Sequence, residues 1–551
     1  MIYRRKGMGA RMDKEVSSSF DIGKLTIDEL VFYAFFIILS VTKGLGFYEW
    51  QKMFILLIIP AFFFGLLKIL ISRYTKRQRV IVIALLVLTA VVCFESGEVG
   101  ILFVMFTILG MKNISVDKVV RLALWVWTIC SIVLCIVRFF RIEHTVYRVS
   151  DKLGLGYIMR WSLGFTHPNI LHITYLALCA FILYELGQRY RFRHFLLLML
   201  GNVLVFFYSI SYTGFGIVTV LLVGDLYVNF RPKFGIPEKI VVNLVLPFVV
   251  LISFVLPILL NVPQTREAVD KLNWLVNTRI YVASYYLVPE SMSLFGVRMS
   301  YLAQRYTYLS IDNSYIWAFI HYGIIPFVLF ISAYFVLIAD YCRKQKTREL
   351  VFIVCFLAAG LTEPLLFNTS FKNVTLLFLG ELLFRQRESE EEYAFFPTLR
   401  DKTEGLLSLL WAKLKVPECL RILTALPLWL GAAWRAYRKQ VLSGIAAGAV
   451  IGVVLCALCY SAPKGYIVPR RYTDWREKTS VYLESGEDPA YEGYRIMNYQ
   501  DAETPMQIVE GKAVMLQTAR YYVGSMLIGG FTGYLIGAGT VIIYDKGKIL
   551  I

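Results

Sequence analysis

The chain contains about fourteen apolar runs, and this feature limits its fold more than any other. Each run has roughly 17 to 25 residues, which is long enough to cross the hydrocarbon core of a bilayer as a helix. Of the 551 residues, 58% are hydrophobic and only 17% are charged. Such a composition is typical of proteins that cross the membrane many times. The sequence therefore predicts an all-α polytopic membrane protein.

The apolar runs form two groups along the chain. Residues 28–385 hold about twelve spans, and residues 441–551 form a hairpin of two spans around a polar exoplasmic segment, 461–519. The stretch between them, 386–440, is predicted to be a linker followed by amphipathic helices on the membrane surface. Residues 1–27 are predicted to be a cytoplasmic N-terminus. They lack the signal-peptide pattern, so we expect the first span to remain as an anchor.

Lysine and arginine fix the predicted orientation. Most of the 57 basic residues fall in the N-terminal segment, the tail and alternate short loops, all on one side of the membrane. Cytoplasmic loops carry such an excess, so both termini are predicted to be cytoplasmic. The net charge of +18 is then a topology signal. No basic segment carries a nucleic-acid-binding motif, and we expect no nucleic-acid partner.

Two long exoplasmic loops, 139–167 and 262–311, break this pattern because they carry ten cations in or beside them, eight of them arginine. The simplest physical reason is an anionic ligand at the outer leaflet, since the planar fork of arginine bonds two phosphate oxygens at once. The alternative is that these side chains reach lipid headgroups or pair with acidic residues of the same loops. The cations are Arg138, Arg141, Arg148, Lys152 and Arg160, then Arg266, Lys271, Arg279, Arg298 and Arg305.

Polar residues lie at helix mouths on the same face. Asp312 and Asn313 open one predicted span, Glu363 lies near the end of another, and His167 and Asn169 flank the start of a third. Ionisable residues at membrane depth are costly and usually face a cavity, so these residues are site candidates. Two plainer readings stay open: Asp312 is a helix N-cap, and the His167 segment is only a helix start.

Cysteine and glycine spacing give weaker signals. The nine cysteines show neither metal-ligand spacing nor a disulfide framework, so we expect no metal and no other cofactor. Cys456 and Cys459 form a CxxC inside a predicted span, where packing is the simpler role. Glycines recur every four residues in both C-terminal spans, which predicts a tight hairpin or an oligomer. They are Gly444, Gly448 and Gly452, then Gly529, Gly533 and Gly537.

Four motifs carry a resemblance to a known family. In chain order they are GFTHPN, NTRIYVASYYLVPESMSLFGVRM, IDNSYIWAFIHYG and LTEPLLFN. They resemble the bacterial O-antigen polymerase and ligase superfamily, and above all the Wzy-type polymerases of capsular and exopolysaccharide clusters. The likeness covers roughly residues 25 to 385. Related ligases have a His-Asn pair where this chain has Asp312-Asn313, and relatives often have arginine at the position of Tyr212.

The resemblance implies a metal-independent membrane glycosyltransferase of GT-C type in the bacterial cytoplasmic membrane. It would transfer a growing glycan from undecaprenyl diphosphate to the next lipid-linked repeat unit at the outer face. Asp312 is then the expected base, with Glu363 and His167 as further catalytic candidates. The expected diphosphate and sugar ligands are Arg160, Asn169, Arg279, Arg298, Arg305 and Asn313.

The expected partners are undecaprenyl-diphosphate-linked oligosaccharide and membrane lipid, together with a flippase, a chain-length regulator and further copies of the chain. Three other functions stay open: an O-antigen or teichoic-type ligase, a twelve-span secondary transporter and, with less support, an acyltransferase using His321. The C-terminal hairpin looks like a polysaccharide co-polymerase by architecture. Its alternative role is an accessory hairpin that packs on the catalytic bundle.

Overall fold

The computed structural model describes most of the chain, and the statements below concern that part. Nine of its helices are long and apolar enough to cross a membrane, which confirms a helical, multi-pass membrane protein. The count of about twelve spans plus a hairpin stays a prediction. The described residues are 25–48, 51–141, 147–151, 153–154, 157–276, 278–287, 292–298, 311–368, 372–385, 391–413, 434, 437–469, 492–496 and 506–549.

Helices dominate the part of the chain up to residue 413, with four short strands. The first elements are α1 (Ile27–Gly44), α2 (Lys52–Ile71), β1 (Arg73–Tyr74), α3 (Lys76–Ser96), α4 (Gly100–Gly110), α5 (Val116–Phe139), β2 (Tyr147–Asp151), β3 (Tyr157–Trp161) and α6 (Pro168–Leu186). A 3₁₀ turn at Gly187–Arg189 precedes α7 (Phe192–Ser209), α8 (Tyr212–Phe230), α9 (Ile236–Leu260), α10 (Arg266–Leu275) and α11 (Arg279–Tyr286). Next come α12 (Ser314–Tyr322), α13 (Ile324–Lys344), α14 (Thr347–Ala359), α15 (Thr375–Leu383), β4 (Tyr393–Ala394) and α16 (Pro397–Lys413).

The chain divides into two compact units. One, called the bundle unit, comprises residues 28–134 and 169–401, and the other, the tail unit, comprises residues 1–27, 135–168 and 402–551. The sequence instead predicted 28–385 as one domain. The difference arises because β3 packs on C-terminal elements described below, which places the loop predicted at 139–167 in the tail unit.

Helix α3 shows how local sequence sets the ends of a span. The Thr75 hydroxyl accepts a hydrogen bond from the Gln78 N–H, and the Gln78 side chain accepts one from the Thr75 N–H. This capping box satisfies two N–H groups that the first turn would leave unpaired. Gly97 ends the helix in the left-handed region at φ 73°, which glycine adopts without steric cost.

The predicted span at 312–338 is two helices, α12 and α13, separated at Gly323. Its φ of 85° is in the left-handed region, and a Cβ there would overlap the backbone of Gly296. The segment 292–298 lies against this break. Its carbonyls at Ser293 and Leu294 accept hydrogen bonds from the N–H groups of Ile324 and Ile325. The break exposes backbone donors, and the loop segment satisfies them, as buried backbone requires.

Helix α14 also ends earlier than the predicted span at 350–367, since residues 360–368 form turns. Backbone groups in this irregular stretch bond to side chains: the carbonyl of Glu363 accepts from Ser314, and the carbonyl of Leu366 accepts from Asn373. The helix thus ends at Ala359, and side chains satisfy the backbone groups that the break leaves unpaired.

A buried ion cluster closes one end of the bundle unit. Lys68 Nζ lies 2.9 Å from Asp28 Oδ1, and Arg400 Nη2 lies 2.9 Å from Asp28 Oδ2. We call Asp28, Lys68 and Arg400 the inner-end cluster. Lys68 also donates to the Lys112 carbonyl at 2.9 Å, and its side chain is 0% exposed. The cluster ties three helix ends to the segment that carries Arg400, which is further held by pairing of β4 with β1.

In the tail unit, two glycine-rich helices form a hairpin. They are α17 (Arg438–Cys459) and α18 (Lys512–Ile549). A Cβ at Gly448 would overlap the Gly529 carbonyl oxygen, and one at Gly444 would lie 2.7 Å from the Gly533 carbonyl oxygen. Since only glycine permits such close backbone approach, the predicted tight hairpin is confirmed. Residues 414–433 of the predicted amphipathic stretch lie outside the described residues.

Small sheets complete the tail unit, an addition to the predicted all-α fold. Strands β5 (Gly465–Pro469), β6 (Tyr494–Ile496) and β7 (Met506–Glu510) form one sheet in the order β6-β5-β7, and β2 pairs with β3. Arg520 of α18 is 0% exposed and donates to the Met159 carbonyl of β3. Its guanidinium lies 5.9 Å from the Trp161 ring. These contacts hold the β2–β3 hairpin on α18.

Candidate functional site

The mouth of α12 is organised by Asn313. The Asn313 Oδ1 accepts hydrogen bonds from the N–H groups of Tyr315 (2.9 Å) and Ile316 (3.1 Å), so Asn313 is the N-cap of α12. Its Nδ2 donates to Ser253 Oγ at 2.9 Å and to the Leu361 carbonyl at 3.3 Å. The alternative that Asp312 caps this helix is therefore wrong. Because Asn313 uses both its donors and its acceptor within the protein, its role is to fix the helix mouth.

Ser314 places Glu363 beside this mouth. Its Oγ donates to the Glu363 carbonyl at 2.6 Å and accepts from the Leu366 N–H at 3.2 Å, and its own N–H donates to the Gly360 carbonyl at 2.8 Å. Three hydrogen bonds thus clamp the turn after α14 onto the first residue of α12. Glu363 and Asp312, distant in sequence, are brought together by this clamp.

Arg279 bridges the two carboxylates. It is the first residue of α11; its Nε lies 3.1 Å from Asp312 Oδ2 and its Nη2 lies 2.9 Å from Glu363 Oε1. We call Asp312, Arg279 and Glu363 the mouth cluster. Burial by itself lowers the pKa of the Arg279 guanidinium, but the charges of Glu363 and Asp312 outweigh this and raise the pKa above its ordinary value. The guanidinium therefore stays charged and holds both carboxylates.

The three members of the mouth cluster differ in exposure. The side chains of Arg279 and Glu363 are only 10% and 8% exposed, whereas that of Asp312 is 37% exposed. Asp312 is thus the member that a bound molecule can reach most easily. A carboxylate with such access and a fixed position can accept a proton from a hydroxyl group.

Two polar side chains from other helices complete the surroundings of Glu363. Asn169 Nδ2 donates to Glu363 Oε1 at 2.9 Å, and Thr213 Oγ1 donates to the same oxygen at 3.4 Å. Asn169 lies in the first turn of α6 and Thr213 in the first turn of α8. Sequence reasoning named Asn169 but missed Thr213. The signal was available, because Thr213 follows Tyr212, the position at which members of the resembling family often have arginine.

Lys372 adds positive charge near Glu363. Lys372 is 5% exposed, and its ammonium group interacts electrostatically with Glu363 and with Lys43 at the end of α1. Sequence reasoning noted Lys372 only as part of a motif and did not assign it a role. Lys43 is half-buried, and its ammonium group lies 4.5 Å from the centroid of the Phe54 ring.

The structure places the other predicted site residues as follows. Arg298 donates to the carbonyls of Phe94 (3.1 Å) and Glu95 (3.3 Å), at the C-terminal end of α3. A cation there is favoured by the helix dipole; the predicted diphosphate-binding role of Arg298 stays a prediction. Arg305 lies outside the described residues. Arg160, which is buried on β3, and His167 belong to the tail unit; their predicted roles stay predictions.

His321 has a structural neighbourhood. Its ring stacks on Trp317 with centroids 4.3 Å apart, and its Nδ1 lies 3.5 Å from Glu98 Oε2. Trp317 is on the same helix, and Glu98 lies in the connection between α3 and α4. Among the described residues no group of histidine, cysteine and acidic side chains is placed to hold a metal ion.

Comparisons with known proteins return no match for this chain: no family model fits it, and neither a curated protein nor a solved structure is similar to it.

Proposed function

We propose that this protein is a polysaccharide polymerase that acts at the outer face of the bacterial cytoplasmic membrane. It would transfer a growing glycan from undecaprenyl diphosphate to a sugar hydroxyl of the next lipid-linked repeat unit. The observation that carries the proposal is the mouth cluster: two carboxylates from separate segments, held by one buried arginine, with Asp312 left accessible. The four family-like motifs found in the sequence support the choice of substrate class.

In the proposed reaction Asp312 acts as the general base. It takes the proton of the acceptor hydroxyl, whose oxygen then attacks the anomeric carbon of the donor sugar. The new bond is glycosidic, and the bond that breaks joins that carbon to a phosphate oxygen. Undecaprenyl diphosphate leaves with the electron pair, and Asp312 releases its proton afterwards. Positioned bases contribute about 10² to 10⁴ in rate.

Glu363 and Arg279 are assigned positioning roles. Glu363 Oε1 accepts hydrogen bonds from Arg279 (2.9 Å) and Asn169 (2.9 Å), so it is already occupied by protein donors. Arg279, predicted from the sequence to bind diphosphate, has its guanidinium on the two carboxylates. Its Nε lies 3.1 Å from Asp312 Oδ2 and so fixes the direction of the Asp312 carboxylate.

Lys372 and Lys43 are the proposed ligands for the diphosphate. Lys372 is buried, and its charge is close enough to that of Lys43 for the two to interact. A diphosphate carries the negative charge that would offset both. This assignment moves part of the expected phosphate contact from the loop arginines to lysines of the bundle unit.

The test is reconstitution of the purified protein in vesicles with a lipid-diphosphate-linked repeat unit from its own organism. Products are separated on a gel, and a ladder of chain lengths is the expected result. Asp312→Ala should abolish the ladder. Asp270→Ala is the matched control, since Asp270 is a half-exposed carboxylate on the neighbouring helix α10, and it should leave the ladder intact.

Two results would overturn the proposal. An unchanged ladder with Asp312→Ala would remove Asp312 as the base. Absence of a ladder with folded wild-type protein and intact repeat unit would reject the polymerase. Transfer of one finished glycan to another acceptor would then indicate a ligase, and uptake of the repeat unit without a new bond would indicate a transporter.

A further inference from the structure

A crevice of about 850 Å³ lies in the bundle unit, away from the mouth cluster. It runs between α3, α4, α13 and α15, and its size falls within the range of ligand pockets in proteins, about 300–1,000 Å³. The crevice and the mouth cluster lie towards opposite ends of α3. Glu98, just beyond the end of α3, contacts His321 of α12, whereas the crevice begins at Arg77 and Gln78 in the first turn. Helix α3 has 21 residues and is therefore roughly 30 Å long.

The lining changes from charged to apolar along the crevice. On α3 it passes from Arg77 to Ile81 and Leu85, and on α13 it passes from Arg343 back to Phe330. The same order holds on α15, where Arg385 follows the apolar leucines of the helix. Charge is thus concentrated at one end of the crevice, and its interior is apolar. A lipid molecule with its headgroup at the helix ends and its acyl chain in the interior has the same polarity.

Two of the arginines at the charged end are available for a ligand. The acidic lining residues already have partners: Asp340 lies 2.8 Å from Arg385 Nη1, and Glu392 lies 2.5 Å from Lys112 Nζ. Arg77 and Arg343 are exposed, and within the described part of the chain neither has an ion-pair partner. The charge left over at this end is positive.

The apolar part of the crevice reaches from the surface of the bundle into its interior. Leu329 and Val336 of α13 line the crevice and are exposed, so one wall faces the region where lipid would lie. Met105, Ile108 and Phe330 are buried at its inner side. The short helix α4, with 11 residues, does not fill the space beside the longer α3 and α13. An acyl chain would fill this gap.

We propose that the crevice binds an anionic glycerophospholipid of the adjacent leaflet, with its phosphate on Arg77 and Arg343 and an acyl chain between α3 and α13. The sequence predicts that this end faces the cytoplasm, where basic pockets between helices bind anionic headgroups. The site does not depend on the proposed glycosyltransferase activity. It would bridge helices that are distant in sequence and so stabilise this end of the bundle.

The experiment is native mass spectrometry of the full chain, first stripped of lipid in detergent and then titrated with phosphatidylglycerol or phosphatidylcholine. One phosphatidylglycerol should be retained in preference to phosphatidylcholine. The double variant Arg77→Ala/Arg343→Ala should weaken phosphatidylglycerol binding by about fivefold per arginine. The matched control is Arg191→Ala/Arg193→Ala, two exposed arginines at the start of α7 that do not line the crevice, and it should bind as wild type.

A second variant separates the crevice from general surface charge. Ala333 lines the crevice, and Ala333→Trp should obstruct it and remove the retained lipid while the protein stays monodisperse. Equal retention of both lipids, or equal loss in the control and the Arg77/Arg343 variant, would overturn the proposal and indicate ordinary annular lipid. Retention of phosphatidylglycerol by folded Ala333→Trp would place the bound lipid elsewhere and overturn it as well.

Discussion

The bundle unit contains two ion clusters that differ in access: in the inner-end cluster the Asp28 carboxylate lies between two cations, and in the mouth cluster Arg279 lies between two carboxylates. In the inner-end cluster Lys68 is 0% and Asp28 is 6% exposed. In the mouth cluster Arg279 is 10% exposed but Asp312 is 37% exposed. The first is sealed by a strand pair and a helix, whereas the second leaves one carboxylate open. Loss of one partner from a sealed pair leaves a buried charge uncompensated and costs stability, whereas accessible, positioned charge is available for chemistry.

The arrangement of partners supports the same contrast. The inner-end cluster joins residues at helix ends, and Lys68 donates to three oxygens, those of Asp28, Ser72 and the Lys112 backbone. The mouth cluster concentrates its hydrogen bonds on Glu363, while Arg279 is the only partner found for the Asp312 carboxylate within the described residues. Asp312 therefore differs from Glu363 in having few protein partners, and substitution of Asp312 tests the comparison directly.

The largest expected effect is on turnover. Asp312→Asn keeps the size of the side chain and an oxygen that can accept from Arg279, but it removes the proposed base. We expect the polymerisation rate to fall by about 10² to 10⁴, with an unchanged unfolding temperature. Gel-ladder rates and thermal unfolding in detergent measure the two quantities. Full turnover of Asp312→Asn would end the assignment of Asp312 as base.

The second-largest effect is expected on stability, with the activity of each folded molecule unchanged. Lys68→Met leaves Asp28 buried with one of its two cations removed, and breaking a buried pair of this kind costs about 3–5 kcal/mol. We expect a lower unfolding temperature and a smaller folded yield, while the activity of each folded molecule is retained. The number of folded molecules is taken from size-exclusion chromatography. An unfolding temperature like that of the wild type would show that the inner-end cluster is dispensable.

A third, smaller effect concerns substrate binding. Lys372→Met removes one of the two proposed diphosphate ligands and keeps an apolar side chain of similar length. A hydrogen bond to a charged group contributes about 1.5–3 kcal/mol, so the half-saturating concentration of lipid-linked donor should rise by about tenfold or more. The maximal rate should change less. A fall in maximal rate with no change in half-saturation would instead make Lys372 a positioning residue for Glu363.

The smallest effect is expected at an exposed ion pair in the predicted loop 262–311. Lys271 and Glu267 lie one turn apart on α10, 3.0 Å from each other, and both side chains are largely exposed. Exposed pairs contribute little to stability, so Lys271→Ala should change neither the unfolding temperature nor the ladder. If this variant lost activity, the loop cations would bind substrate directly, as the sequence first suggested.

The sequence predicted the class of fold well because hydrophobic length is a local property. Apolar runs located the long helices, and the predicted loop 139–167 matches the interval between the end of α5 and the start of α6. The glycine spacing predicted the close α17–α18 hairpin. The breaks at Gly323 and after Ala359 were less visible, because an apolar run continues through both and only the loop that packs there determines where the helix ends.

At the site, the sequence determined which residues could do chemistry, and the tertiary structure decided which of them meet. Asp312, Asn169 and Glu363 were named from their positions at helix mouths, a feature of local sequence. That Arg279 bridges two carboxylates, that Asn313 rather than Asp312 caps α12, and that Thr213 reaches Glu363 depends on contacts between segments far apart in the chain. Helix packing sets those distances, and no single stretch of sequence contains them.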